Sequence, residues 1–479
     1  MANARGLALH ALVAFERGRT DRVREELDSR SRGVDGRELA FAYELAHGVL
    51  RRERLLDFVL TGFAHRGLPK DPQLLCALRL GAYQLLCVPG MPQHAAVHET
   101  VGAVRSNRGF ANAMLRRLAG TLESRDADAA AAADADAGPD AETGESPTCR
   151  SELIVVGNRV LPLKQPLPDD DVARLAIVYS LPDWLAQRVH QEHGVTGLHA
   201  VGKAAIAMPP IWLRACGDTD RAALRERLKQ EDVHCEPGDH PRMLRWSGGQ
   251  TPFQTAAFAE GAFVVQDPTA LAAVESVACK PGERVLDLCA APGTKTTWLA
   301  EQVRPGGTVL AFDPDVARRG RITENVARLR LEDTVELIDD PEAAASDGSD
   351  GANAGAPIDH VLVDVPCSNT GVLGRRVEVR LRLSSGTFEE LSVLQRELLA
   401  LALRRVRPGG TVVYSTCSID RAENRDVVDA VLASADVAAT LQHDRTTLPA
   451  VGRHDGGYVA VLRRSDEGLE QGEGDAVPS

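Results

Sequence analysis

Two cysteines and one aspartate occupy positions where covalent chemistry is possible. The segments Asp364-Val-Pro-Cys367-Ser-Asn-Thr-Gly and Ser415-Thr-Cys417-Ser-Ile each follow an apolar run that reads as a β-strand. A lone cysteine at a strand end is usually a small buried apolar residue. Two cysteines ending adjacent strands at one sheet edge, with Asp364 three residues before the first, suggest more. Beside a methyl donor, such a set suits one reaction. Carbon 5 of a pyrimidine is a poor nucleophile. A thiolate adding to carbon 6 makes carbon 5 enamine-like, so that it can attack an electrophilic methyl group. A free thiol has a pKa of about 8.5, so the site must favour the thiolate. A carboxylic acid near N3 of a cytosine stabilises charge on the ring, and a second group must help remove the carbon 5 proton. Exocyclic-amine methylation would instead suit an Asn/Asp-Pro-Pro-aromatic segment, which neither strand end carries. A cysteine hydrolase would need a histidine partner, and His360 stands at the wrong end of its strand.

The methyl donor needs its own cradle. Val285-Leu-Asp-Leu-Cys-Ala-Ala-Pro-Gly-Thr-Lys reads as a buried strand, a small-residue turn and a helix starting near Thr294. Such a turn puts backbone N–H groups at the carboxyl edge of a sheet, where nucleotides bind. It is neither G-x-G-x-x-G nor a P-loop, so it holds a nucleotide-like ligand with no triphosphate cradle. Asp313 ends the next strand, where an acid commonly bonds ribose hydroxyls, while Asp315 better suits the helix cap. Asp339 ends the third strand and is a candidate for the ligand's base, with Asp340 as its rival.

Strands at Val285–Leu288, Thr308–Phe312, Thr334–Ile338, His360–Asp364 and Thr411–Ser415 alternate with helices near 294–303, 315–329, 388–406 and 423–433. This alternation predicts an α/β, Rossmann-like doubly wound sheet over 276–464, with a low-complexity insertion at 341–357. Residues 151–275 read as a small α+β adaptor, with a helix after Pro182 and another capped by Asp220. Helical periodicity fills 1–120, so an all-α domain leads the chain. Stretch 121–150 reads as a disordered acidic linker, and 465–479 as a disordered acidic tail.

The net charge of −13 hides an uneven distribution. Residues 1–120 carry 18 Lys and Arg against 12 Asp and Glu, whereas 121–150 carry 2 against 8. A basic face built from Arg105, Arg108, Arg116 and Arg117 can therefore still dock RNA. Nine cysteines without a C-x-x-C pair argue against a disulfide framework or a metal site, and for a reducing cytoplasm. No transmembrane span or signal peptide is expected.

Together these segments closely resemble the NOL1/NOP2/Sun family of RNA cytosine carbon-5 methyltransferases, over roughly residues 205–462. The resemblance implies that Cys417 is the nucleophile, that Cys367 assists product release and that Asp364 steadies the activated base. It implies S-adenosylmethionine contacts at Cys289, Ala290, Ala291, Pro292, Gly293, Thr294, Lys295, Asp313, Arg318, Asp339 and Asp364. Residues 5–119 resemble the NusB-like RNA-binding domain, most recognisably at Ala95-Ala-Val-His-Glu-Thr-Val and Gly109-Phe-Ala-Asn-Ala-Met-Leu-Arg-Arg. That pairing implies an enzyme acting on small-subunit (16S) ribosomal RNA, and a monomer is expected; the alternative is a non-catalytic RNA-binding ribosome assembly factor. The chain departs from the family at Arg375–Leu381, which lacks the usual Pro and Trp. It departs again at Asp455-Gly-Gly-Tyr, and at Asn369, which replaces a small residue.

Overall fold

The computed structural model describes residues 3–64, 66–124, 148–150, 153–156, 159–342, 356–434 and 437–466. Most of the expected linker 121–150, most of the insertion 341–357 and the tail from 467 lie outside the described residues. The chain forms two compact units, Met1–Met208 with Leu373–Arg382, and Pro209–Val372 with Leu383–Ser479. Among the described residues no helix is long and apolar enough to cross a membrane.

The first unit is helical at its amino-terminal end. Asp35 caps Gly36–Arg51 through the N–H groups of Arg37 and Glu38, and Asp71 caps Pro72–Cys87 with proline in the first turn. Leu45, Leu50, Leu55, Leu56, Leu60, Leu78 and Leu85 form its core. The expected adaptor does not stay whole. Its helices Asp171–Val178 and Asp183–Ile206 belong to this unit, because the Leu55 N–H donates to Ser180 Oγ at 3.1 Å and Arg54 bonds Leu181 O and Asp183. Segment 373–382 also belongs here. Fully buried Arg380 donates to the carbonyls of Arg51, Tyr179, Ala205 and Leu373, and Glu378 accepts from the Val23 N–H. The altered residues after Arg375 are thus fitted to this interior.

The second unit opens with a four-stranded sheet built from Trp212–Ala215, Val233–Pro237, Met243–Gly249 and Phe263–Val265. Arg214, fully buried, ties it onward through Gln266, Glu301 and the face of Trp298. A seven-stranded sheet follows: β1 Arg284–Leu288, β2 Thr308–Phe312, β3 Val335–Leu337, β4 Ile358–Asp364, β5 Val406–Thr416, β6 Ala439–Thr447 and β7 Gly457–Arg464. Its order is β3-β2-β1-β4-β5-β7-β6. The first five strands are mutually parallel, and β7 runs antiparallel to β5 and β6. Helices α1 Thr294–Val303, α2 Val316–Leu329, α3 Ser385–Arg405 and α4 Arg425–Ala433 flank it. Apolar side chains bury both faces, with Trp298, Leu299 and Ile322 on one side and Leu399, Leu403 and Val427 on the other. Strands are added outward from β1 on one side and from its parallel neighbour β4 on the other, and this switch in strand order opens a crevice at their carboxyl ends. Strands β6 and β7 go beyond the sequence expectation. Polar β6 forms the sheet edge, so its pattern carries little apolar signal.

Candidate active site

The turn after β1 is held from behind. Gly293 takes φ 97°, and a Cβ there would lie 3.2 Å from the Ile322 backbone, so only glycine fits without strain. Asp313, fully buried, accepts from the Ala291 N–H at 2.9 Å and the Asp315 N–H at 3.0 Å. Arg318 donates to Ala291 O at 2.8 Å, and Asn325 donates to Pro292 O at 2.9 Å. Asp313, from the interior, and the half-exposed Arg318 thus both shape the turn. Asp339 has a fully exposed side chain paired with Arg319 at 2.7 Å, and Asp340 is exposed beside it. The small side chains of Cys289, Ala290 and Ala291, with Thr294 opening α1, leave backbone at the edge of β1. That cradle fits a nucleoside-bearing donor.

The second cluster forms where β4 and β5 end. Asp364 sits opposite Ser415 in register, and its Oδ1 accepts from Ser415 Oγ at 2.6 Å. Its Oδ2 pairs with Lys295 Nζ, 69 residues away in sequence. The fold thus pairs two residues that the sequence offers as donor contacts. Burial pulls the Lys295 pKa down, but the charge and hydrogen bond of Asp364 outweigh it and the net shift is upward. The Sγ atoms of Cys367 and Cys417 lie 3.0 Å apart. The hydrogen bond to Cys417, then burial, pushes the Cys367 thiol well above its ordinary range, so it stays protonated. Burial likewise raises Cys289.

Residues distant in sequence fix the two sulfurs. The Gly371 N–H donates to Cys417 O at 2.9 Å, and the Gly456 N–H donates to Gly371 O at 2.8 Å. A Cβ on Gly371 would meet the Gly456 backbone at 2.5 Å. Gly456 therefore supplies the bare backbone that lets this loop close; at Gly457, where the chain departs from the family, a Cβ would meet Thr416 O at 2.7 Å, and Tyr458 turns its hydroxyl to Asp444. Beneath Cys367, buried Glu423 accepts from the Ser368 backbone and hydroxyl and from Gln395. The Glu423 and Ser415 duties were not anticipated; Ser415 lay in a noticed motif, but nothing local marks Glu423. Nor was Asp287, inside β1, which burial pushes up to about 7 despite a bond from Thr296. Lys295, Asp364, Cys417, Arg445 and Tyr458 line an open cavity of about 530 Å³.

Comparison with known proteins sets this geometry in a family. A model for the 16S rRNA methyltransferase RsmB/F matches residues 274–462, and a NusB family model matches residues 2–120. Ribosomal RNA small subunit methyltransferase B of Salmonella enteritidis is 30% identical over 96% of this chain and 98% of its own length. The chain belongs to the RsmB/F family. The protein of the same name from Erwinia tasmaniensis is 29% identical over 94% of this chain and 95% of its own. Among solved structures, PH0851 has a TM-score of 0.68 at 23% identity, covering 96% of this chain and 98% of that one. NSun6 from Pyrococcus horikoshii has a TM-score of 0.52 at 18% identity, covering 60% and 99%. These two share the fold. Membership makes the chain an S-adenosylmethionine-dependent rRNA methyltransferase with a NusB domain ahead of its catalytic sheet.

Proposed function

We propose that this RsmB/F member methylates carbon 5 of a cytosine in small-subunit rRNA through a covalent adduct on Cys417. One observation carries the reading: two thiols in contact at 3.0 Å, beside an aspartate–lysine pair, at one edge of a methyltransferase sheet. S-adenosylmethionine, held by the turn Cys289–Lys295 with Asp313 and Arg318 behind it and Asp339 at its rim, supplies an electrophilic methyl group. The target base leaves its stack to enter the cavity. The Cys417 thiolate adds to carbon 6, and N3 takes a proton from the Asp364–Lys295 pair. Carbon 5 then takes the methyl group. Cys367 passes its proton to the departing Cys417 sulfur and takes up the carbon 5 proton; the electron pair returns to the ring, the carbon–sulfur bond breaks, and the N3 proton goes back to the Asp364–Lys295 pair. Before the pair's proton passes to N3, the Lys295 ammonium opposes the charge that builds on the ring, a preorganised electrostatic contribution. Arginines of the 1–120 region serve RNA docking, and the enzyme works as a cytoplasmic monomer.

The test pairs two variants with labelled methyl donor and 16S rRNA. Cys417→Ala loses methyl transfer altogether. Cys367→Ala accumulates protein covalently joined to RNA, seen as a slow band that resists denaturant. A Cys417→Ala enzyme that still methylates carbon 5, or a Cys367→Ala enzyme without the band, overturns these roles.

A further inference from the structure

Asn369 has no part in the steps above, yet it touches both sulfur-bearing residues. Its φ of 63° lies in the left-handed region, which asparagine tolerates better than most side chains. Glycine would meet that backbone need with less strain. The side chain does more. Nδ2 donates to Cys367 O at 2.7 Å, Oδ1 accepts from Cys417 Sγ at 3.3 Å, and the backbone N–H is turned to the Cys367 sulfur. A carbonyl can only accept, so the bond to Cys367 O fixes which end of the amide faces Cys417. An acceptor facing a sulfur favours the thiol form and sets the direction of its S–H bond.

We propose that Asn369 is a positioning residue for the attacking sulfur: its amide oxygen holds the Cys417 S–H in the resting enzyme and sets how readily that proton leaves. The proposal rests on the reading of Cys417 as nucleophile. Other groups also face this sulfur. Cys367 is beside it, and Lys295, Asp364, Asp267, Arg445, Asp455 and Tyr458 line the same cavity. All of them stay constant when only residue 369 is changed, so differences among its variants isolate the amide.

Two substitutions suit the backbone at this position, Asn369→Gly and Asn369→Asp. In the full-length protein, alkylation of Cys417 by iodoacetamide is followed against pH by peptide mass spectrometry, and methyl transfer is profiled over the same range. Asn369→Gly removes the acceptor, so its alkylation midpoint falls below wild type, and kcat drops with the KM for S-adenosylmethionine unchanged. Asn369→Asp puts a carboxylate against the sulfur and raises the midpoint by about one unit, roughly tenfold less thiolate at a fixed pH below it. The order Gly below Asn below Asp, mirrored in the methyl-transfer profile, supports the proposal. Coincident midpoints overturn it while leaving the Cys417→Ala result intact. Midpoints that move without any matching change in methyl transfer overturn instead the premise that this sulfur attacks.

Discussion

Arg380 in the first unit and Lys295 in the second are both withdrawn from solvent, and they meet different partners. Arg380 is fully buried and donates to four backbone carbonyls. Nearby in the same unit, Arg79 is held by Glu16, Glu53 and Asp57. Cations held in this way stitch segments together inside the unit, although the Arg380 Nε–H itself meets no acceptor among the described residues. Lys295 keeps 15% of its side chain exposed and bonds a single carboxylate, which itself lines the cavity with Cys417. The difference separates a cation that serves folding from one available for chemistry. What decides it is whether the partners are carbonyls locked in the interior or a carboxylate open to a cavity.

Substitutions can break or sharpen that contrast. The largest effect is expected for Lys295→Met. With the ammonium gone and chain length kept, methyl transfer should fall about 10²- to 10³-fold while thermal unfolding changes little. Activity within threefold of wild type would put Lys295 in the class of Arg380. Arg380→Leu should do the reverse. It strands the carbonyls of Arg51, Tyr179 and Ala205 in the interior and costs about 3 kcal/mol, read as a lower Tm, with methyl transfer per folded molecule retained. An unchanged Tm would refute the stitching role.

A smaller effect is expected at Asp287. Its folded pKa is raised by burial to about 7, above the unfolded value of about 3.9. The sign runs opposite to a salt-bridged carboxylate. Below about pH 4 both states are protonated and there is no penalty; as pH rises towards 7 the unfolded chain ionises first and stability falls. Asp287→Asn removes that loss. The variant's Tm advantage over wild type should therefore grow by a few degrees between pH 5 and pH 8. A constant difference across that range would mean the carboxylate is ionised in the fold.

Much of the catalytic sheet was legible in advance. Parallel strands buried on both faces give continuous apolar runs, and β1, β2 and β4 fall within two residues of their expected limits. The helix caps Asp220 and Asp315 were legible for the same local reason. Edge strand β6 was not, because exposed Gln442, His443 and Arg445 mask its alternation. The adaptor's division at Met208 was not legible either, since it depends on which surface each helix finds to bury.

By itself, the sequence determined the local chemistry: a glycine-bearing turn after a buried strand, and cysteines set just beyond two strand ends. These are short-range facts, fixed by backbone sterics and by which residues must be buried. Only the tertiary structure decided the partners. It paired Lys295 with Asp364, set Glu423 under Ser368, gave Cys417 an amide neighbour in Asn369 and drew Arg380 into the first unit. Each of these contacts joins residues dozens or hundreds of positions apart. Strand order and the closing of loops bring them together, and no periodicity in the chain records that.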